Sequence, residues 1–260
     1  MESLYIIKIG GNIVDNPNLL TTCLQAFSKL KGSAIIVHGG GKMATEMATN
    51  LGIEQKLVDG RRVTDEATLK IVTMVYAGHI NKTIVAQLQG MGVNALGLSG
   101  VDANLMTAHK RITSTVDFGF VGDIDFVNSA FVQEQLIQNR RLVIAPITHD
   151  GKGQLLNTNA DTIAQSIATA MASLYDVHLI YGFEKEGVLE NIQDEGSVIS
   201  FINPPIFAQL KQDKIIFEGM LPKLENAFQA LNSGVKSVLI GKAEKMNELI
   251  NGTAGTTIKN

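Results

Sequence analysis

The sequence predicts an α/β protein: a three-layer αβα sandwich with a mainly parallel central sheet and peripheral β-hairpins. Three observations carry this. Short apolar runs alternate with longer amphipathic ones at both ends of the chain, as in parallel sheets covered on both faces. The middle instead holds short, alternating, glycine-broken runs, which read as antiparallel strands. The chain has 260 residues, 45% of them hydrophobic, enough for a sizeable core in one large domain or two lobes.

The elements follow in order. "LYIIKI" is a strand, and residues 18–31 have apolar residues at helical spacing. "SAIIVH" is the second strand, and a helix starts at about Met43. A long helix spans about Glu66 to Gly90, and "NALGL" is the next strand. "LMTAHKRITS", "VDFGFVGDIDFVNS" and "GQLLNT" are the hairpin region, placed at the rim of a substrate lobe. Alternation resumes with "RLVIAPIT", a helix at about 160–173, "DVHLIYG", helices at about 205–212 and 223–233, and "KSVLIG". With no linker or repeat, two lobes, 1–170 and 171–260, share one continuous sheet.

Bulk properties exclude several classes. The net charge of -3 makes no global basic field for nucleic acid or acidic membrane. The single cysteine, Cys23, forms no internal disulfide and reads as a small apolar residue in a helix. No signal peptide or membrane-length apolar run is present, so the expectation is a cytoplasmic protein. His38, His79, His109, His149 and His178 lack metal-ligand spacing, and none is assigned to a metal.

Two glycine turns carry the chemistry. In "YIIKIGG" a lysine, Lys8, sits inside an apolar strand just before Gly10 and Gly11. In "IIVHGGGK" a strand ends at His38, and Gly39, Gly40 and Gly41 open a helix. Backbone amides at such a turn, with the helix amino end behind them, suit an anion, and absent side chains let it come close. One glycine would satisfy a tight turn; three favour anion binding. "GGGKMA" loosely matches the dinucleotide fingerprint, which keeps a nicotinamide-binding oxidoreductase open, with Asp59 a passable ribose ligand. The Walker pattern is absent. Adjacent parallel strands open their carboxyl ends on one edge, so the two turns face one crevice. Lys8 then either cancels phosphate charge there or is a solvated lysine on an edge strand.

"KIGGN", "VHGGGK", "GRRVTD", "DFGFVGDI", "NTNAD" and "EGMLPKL" occur in this order over nearly the whole chain. Together they resemble the N-acetylglutamate kinases of the amino acid kinase family. The resemblance implies transfer of the γ-phosphoryl of ATP to the side-chain carboxylate of an N-acylated glutamate, on the route to arginine, with magnesium carried by the nucleotide. Lobe 1–170 would hold the acylglutamate and dimerise, and lobe 171–260 would hold ATP. Lys8 and Lys223 would stabilise the transferring phosphoryl group from opposite sides, with Asp161 between them. The amides of Gly11 and Gly40 would hold its oxygens. Gly40, Gly41, Arg62 and Asn157 would bind the amino acid; Arg61 beside Arg62 reads as a solvated charge. Lys8, Gly10, Gly11, Gly182, Phe183, Gly187, Gly219, Met220 and Lys223 would bind the nucleotide.

The chain departs from the family pattern in two places. The nucleotide loop reads "LIYGFEKEGVL", where Gly187 and Val188 fit but Phe183 and Glu184 replace the usual residues; Glu218 stands where Asp is frequent. Altered adenosine contacts are expected there. A chain starting so close to its first strand has no room for the amino-terminal helix that links some members into hexamers. The resemblance therefore implies a homodimer that arginine does not strongly inhibit. Two further readings stay open beside it: a kinase for aspartate, carbamate or free glutamate, and a nucleotide-binding regulator without turnover.

Overall fold

Periodicity sets the local elements of this computed structural model, which describes residues 1–58, 61–191, 193–213, 215–216 and 220–260. The chain opens with strand β1 (Ser3–Ile9), the short helix α1 (Gly11–Val14) and helix α2 (Pro17–Ser28). The Asn16 side chain caps α2 by accepting from the Asn18 and Leu19 amides, and Pro17 occupies the first turn, where no amide partner is needed. Strand β2 (Ser33–His38), helix α3 (Gly41–Asn50) and the short strands β3 (Leu57–Val58) and β4 (Arg61–Arg62) follow. The long predicted helix runs as α4 (Glu66–Val72), a π-helical stretch (Thr73–Ile80) and α5 (Asn81–Gly90).

Next come β5 (Ala95–Ser99), β6 (Met106–Lys110), β7 (Gly122–Val127) and α6 (Ser129–Ile137). Then β8 (Arg141–Ala145), β9 (Ile147–His149) and β10 (Leu155–Asn157) lead into α7 (Ala160–Met171). The remainder is β11 (Asp176–Phe183), β12 (Phe201–Ile202), α8 (Pro204–Gln212), α9 (Met220–Asn232), β13 (Ser237–Lys242), α10 (Met246–Ile250) and β14 (Thr256–Ile258).

Eight strands form one sheet in the order β12-β14-β13-β11-β1-β2-β8-β5. Every pairing from β13 to β5 is parallel, while β14 runs antiparallel to β13. The strands before and after residue 170 meet at β1 and β11, in register from Ser3↔Asp176 to Ile9↔Gly182. One continuous sheet therefore spans both halves, as expected. The predicted hairpins form a second sheet, β10-β9-β6-β7, with antiparallel β6–β7 and β9–β10 pairs.

Side-chain alternation divides the core between the two faces. Leu4 and Ile6 of β1 pack with Ile35 and Val37 of β2 and with Ile163 and Ile167 of α7. Ile7 and Ile9 pack on the other face with Ile36, Phe27 of α2 and Ile84 of α5. Cys23 lies buried in the second cluster as a free thiol, as predicted. Lys8 has the parity of Leu4 and Ile6, so it projects on the α7 side. β1 lies between β2 and β11, which removes the edge-strand reading of Lys8.

Candidate active site

The ends of β1 and β2 are neighbours because the strands are parallel and in register, Ile9 opposite His38. The turns after them therefore converge. The Gly39 amide donates to the Ile9 carbonyl at 3.0 Å. A Cβ on Gly39 would lie 3.5 Å from the Gly11 nitrogen, and one on Gly11 would lie 3.7 Å from the Gly41 nitrogen. Two side-chain-free backbones thus lie against each other at the amino ends of α1 and α3. Gly40 has φ +154°, and a Cβ there would meet Ile80 Cδ1 at 2.2 Å. That position tolerates only glycine.

Lys8 reaches Asp161, Nζ to Oδ1 at 2.8 Å. Asp161 stands in the first turn of α7, where the Asn159 side chain caps the helix by accepting from the Asp161 and Thr162 amides at 2.8 and 3.1 Å. Asp161 is thus both a helix-start carboxylate and a lysine partner. The contact is a charge pair rather than an aligned hydrogen bond, since Oδ1 is buried without a hydrogen bond of good geometry.

Lys223, on α9, lies with Nζ 4.2 Å from the centre of the Phe183 ring, a cation–π contact. Burial lowers its pKa, the charge of Asp161 opposes that, and the charge of Lys8 pushes it down further. Asp161 thus pairs with Lys8 and its charge also reaches Lys223.

Two cavities flank Lys8. The larger, about 450 Å³, is lined by Lys8, Gly11, Gly40, Gly41, Arg62 and Asn157 among others. The smaller, about 190 Å³, is lined by Lys8, Gly10, Gly11, Gly182, Phe183 and Glu184 together with Asn12 and Ile13. Lys8 and Gly11 belong to both and form the shared wall.

Arg62 is 9% exposed and its guanidinium is anchored. It donates to Gly41 O at 2.7 Å, to Thr45 Oγ1 at 2.8 Å and to Gln55 Oε1. These bonds take three of the five N–H donors an arginine carries. Both Nη2 hydrogens are used, so the guanidinium is fastened to the glycine turn at the cavity wall and keeps only Nε–H and one Nη1–H for a ligand. Asn157 donates to Thr64 Oγ1 at 3.0 Å from the cavity wall.

Several expectations need correction. Arg61 is half-buried and lines the larger cavity, so it is not simply a solvated charge. Lys223 and Met220 line neither cavity, and nor does Gly187. Gly187 is buried, and a Cβ there would meet Thr256 Oγ1 at 2.8 Å and Val198 Cγ1 at 2.9 Å, so its smallness serves packing within the chain. Met220, at the start of α9, packs its side chain against the core. Gly219 and Asp59 lie outside the described residues.

Sequence reasoning missed Lys42, Tyr76, Arg111 and Asn159, all of which line the larger cavity. Lys42 and Asn159 lie within "VHGGGK" and "NTNAD", motifs already singled out. Tyr76 carries no local signal, because it comes from the middle of the long helix. Arg111 makes a bidentate pair with Asp123 across the β6–β7 hairpin, with Nε 3.1 and 3.0 Å from the two carboxylate oxygens. Among the described residues, no group of three or more His, Cys, Asp or Glu could hold a metal ion.

The sequence model of the amino acid kinase family matches residues 3–242. The chain belongs to the amino acid kinase family. It is 53% identical over 261 residues to an acetylglutamate kinase of Cytophaga hutchinsonii, covering 99% of each chain. It is 36% identical over 249 residues to an acetylglutamate kinase of Methanopyrus kandleri, covering 94% of this chain and 97% of that one.

Solved structures share the fold. N-acetylglutamate synthase from Neisseria gonorrhoeae, with coenzyme A and N-acetyl-glutamate, superposes with a TM-score of 0.82 at 20% identity; the match covers all of this chain and 59% of that longer one. Carbamate kinase from Giardia lamblia bound to AMP-PNP gives a TM-score of 0.69 at 13% identity, covering 100% and 99% of the two chains. The fold of the chain is thus shared with these structures.

Proposed function

We propose that the chain transfers the γ-phosphoryl group of ATP to the side-chain carboxylate of an N-acylated glutamate, N-acetyl-L-glutamate foremost, in the synthesis of arginine. One observation carries the reading: Lys8 and Gly11 line both cavities, so one cation and one glycine turn face both an acceptor site and a donor site. The names of the full-length relatives support the choice of substrate.

The chemistry suits the residues. A glutamate carboxylate, with an ordinary pKa of about 4.3, is ionised at neutral pH and needs no general base. The obstacle is repulsion between carboxylate and phosphate, and pre-aimed cations and amides lower it. Lys8 places positive charge at the shared wall, and the Gly11 and Gly40 turns present amides on the acceptor side. Lys223 comes from the nucleotide side, and Asp161 holds both ammonium groups in place. Arg62 binds the α-carboxylate through its fixed positive charge and a remaining N–H donor, and Asn157 supplies a hydrogen bond to the α-carboxylate or the amide. With no protein cage for an ion among the described residues, magnesium would arrive on the nucleotide's phosphates and neutralise charge there. In this reading residues 1–170 hold the acylglutamate and form a homodimer, residues 171–260 hold ATP, and the enzyme works in the cytoplasm.

Hydroxylamine trapping tests the function. The chain, ATP, magnesium and N-acetyl-L-glutamate should yield a hydroxamate, because hydroxylamine displaces phosphate from an acyl phosphate. A hydroxamate formed from aspartate or free glutamate but from no N-acylglutamate would overturn the substrate assignment.

A further inference from the structure

His38 is the last residue of β2, directly before the glycine turn, and is fully buried. No catalytic role described above uses it. Its Nδ1 lies 2.9 Å from the Gly39 carbonyl, and its Nε2 lies 3.3 Å from Asn81 Nδ2. Asn81 is 1% exposed at the start of α5.

Hydrogen-bond logic decides which ring nitrogen carries the proton. Lys82 Nζ lies 3.0 Å from Asn81 Oδ1, and an ammonium only donates, so that atom is the oxygen. Asn81 Nδ2 also donates to the Val143 carbonyl of β8 at 2.9 Å and lies 3.4 Å from the Leu98 carbonyl, which requires nitrogen there. An amide nitrogen only donates, so a proton on His38 Nε2 would have no partner there, and Nε2 is the ring's acceptor. The ring proton sits on Nδ1 and is donated to the Gly39 carbonyl. Burial agrees, holding the ring neutral with its pKa pushed down to about 4.

The Gly39 carbonyl belongs to the same planar peptide as the Gly40 N–H, and in a trans peptide the two point in opposite directions. A carbonyl drawn toward His38, inside the fold, turns the Gly40 N–H outward, toward the larger cavity. Gly40 carries no side chain that would resist such a rotation.

We propose that His38 and Asn81 are positioning residues for phosphoryl transfer: Asn81 holds His38 as the Nδ1–H tautomer, and His38 pins the Gly39 carbonyl so that the Gly40 amide faces the transferring oxygens. This rests on the kinase function proposed for the cavity. It assigns a role to a histidine that never touches substrate.

Three variants and one spectrum test it. Asn81→Asp puts an acceptor against Nε2, draws the ring proton there and leaves the Nδ1 lone pair facing the Gly39 carbonyl. The kcat should fall about 10- to 100-fold, somewhat less than for outright loss of an oxyanion donor, with KM for N-acetyl-L-glutamate nearly unchanged. His38→Asn keeps an amide donor near the Nδ1 position and should retain most of kcat. His38→Gln places its amide near the Nε2 position and should lose kcat as Asn81→Asp does. Melting temperatures identify any variant that fails to fold. A ring ¹H–¹⁵N correlation on the wild-type chain should show the proton on Nδ1, moving to Nε2 in Asn81→Asp; a ring protonated on both nitrogens there keeps the Nδ1–H bond, so a lost kcat beside it would overturn the inference. A wild-type proton on Nε2, or equal losses in His38→Asn and His38→Gln, overturns the inference even with turnover intact. The spectrum needs no substrate. An Nδ1 proton in a folded chain that phosphorylates no N-acylglutamate would instead overturn the proposed function, and with it the role given to Gly40.

Discussion

Replacing Asp161 by Asn removes one negative charge and almost no volume. Asp161 lies 2.8 Å from Lys8, with side-chain exposures of 32% and 13%. At that distance the attraction is about 1.5 kcal/mol in a water-like medium and about 6 kcal/mol at an effective dielectric constant near 20. A half-open site falls between these limits before solvation offsets part of it. In the variant Lys8 loses its anionic partner and is no longer aimed, and Lys223 loses the attraction that offsets the charge of Lys8. The kcat should fall about 10²- to 10³-fold, the usual result of losing one preorganised charge-stabilising group, while KM for N-acetyl-L-glutamate changes much less. The pH dependence adds a second readout. Burial and Lys8 lower the pKa of Lys223, and Asp161 is the influence that raises it. Lys223 acts while protonated, so losing Asp161 lets its proton leave at lower pH. The alkaline fall in kcat should move toward neutrality. The assay is hydroxamate formation at saturating ATP from neutral to alkaline pH. A variant with wild-type kcat and an unmoved alkaline limb would refute the idea that Asp161 holds the two lysines.

Three further outcomes are expected. Arg62→Lys keeps the charge but not the fork bonded to Gly41 and Thr45, so KM for the amino acid should rise about 10- to 100-fold with a smaller change in kcat; a purely catalytic defect in steady-state kinetics would contradict the placement. Gly40→Ala brings a Cβ to 2.2 Å from Ile80 Cδ1 and within 3.2 Å of the Tyr76 ring at a backbone angle suited to glycine. Strain and overpacking together cost about 2–5 kcal/mol, and calorimetry should show melting lowered by about 5–15 °C. His38 is neutral when folded, with its pKa down at about 4 from the usual 6.5. Between those values the unfolded chain binds the extra proton, so folding stability should fall as pH drops through this window, by about 3 kcal/mol in full. Denaturant titrations should show that slope, and His38→Asn should flatten it.

The sequence made the sheet and its switch points legible, because apolar periodicity and glycine runs are local signals. "YIIKI" and "SAIIVH" with their glycine turns were enough to place two anion-binding loops on one edge, since parallel neighbours open together. Even the meeting of Lys8 with α7 is foreshadowed by parity, Lys8 sharing a face with Leu4 and Ile6. The long-range pairings were not legible. Nothing near Arg62 announces that Gly41 and Thr45 hold it, nothing in the long helix marks Tyr76 as a cavity wall, and nothing in "KRITS" pairs Arg111 with Asp123. The glycines show the same divide. A glycine reports that something approaches closely, but not what. At Gly11 the neighbour is another glycine turn beside an open cavity; at Gly187 it is the chain itself.

The residue pattern alone determined which segments become strands and helices, which edge of the sheet carries the glycine turns, and which family the motifs resemble. Tertiary structure decided which side chains meet there: that Asp161 meets Lys8, and that Asn81 reaches back to His38. Local signals follow from the geometry of a few consecutive residues, whereas these contacts depend on strand order and on how each helix lies across the sheet.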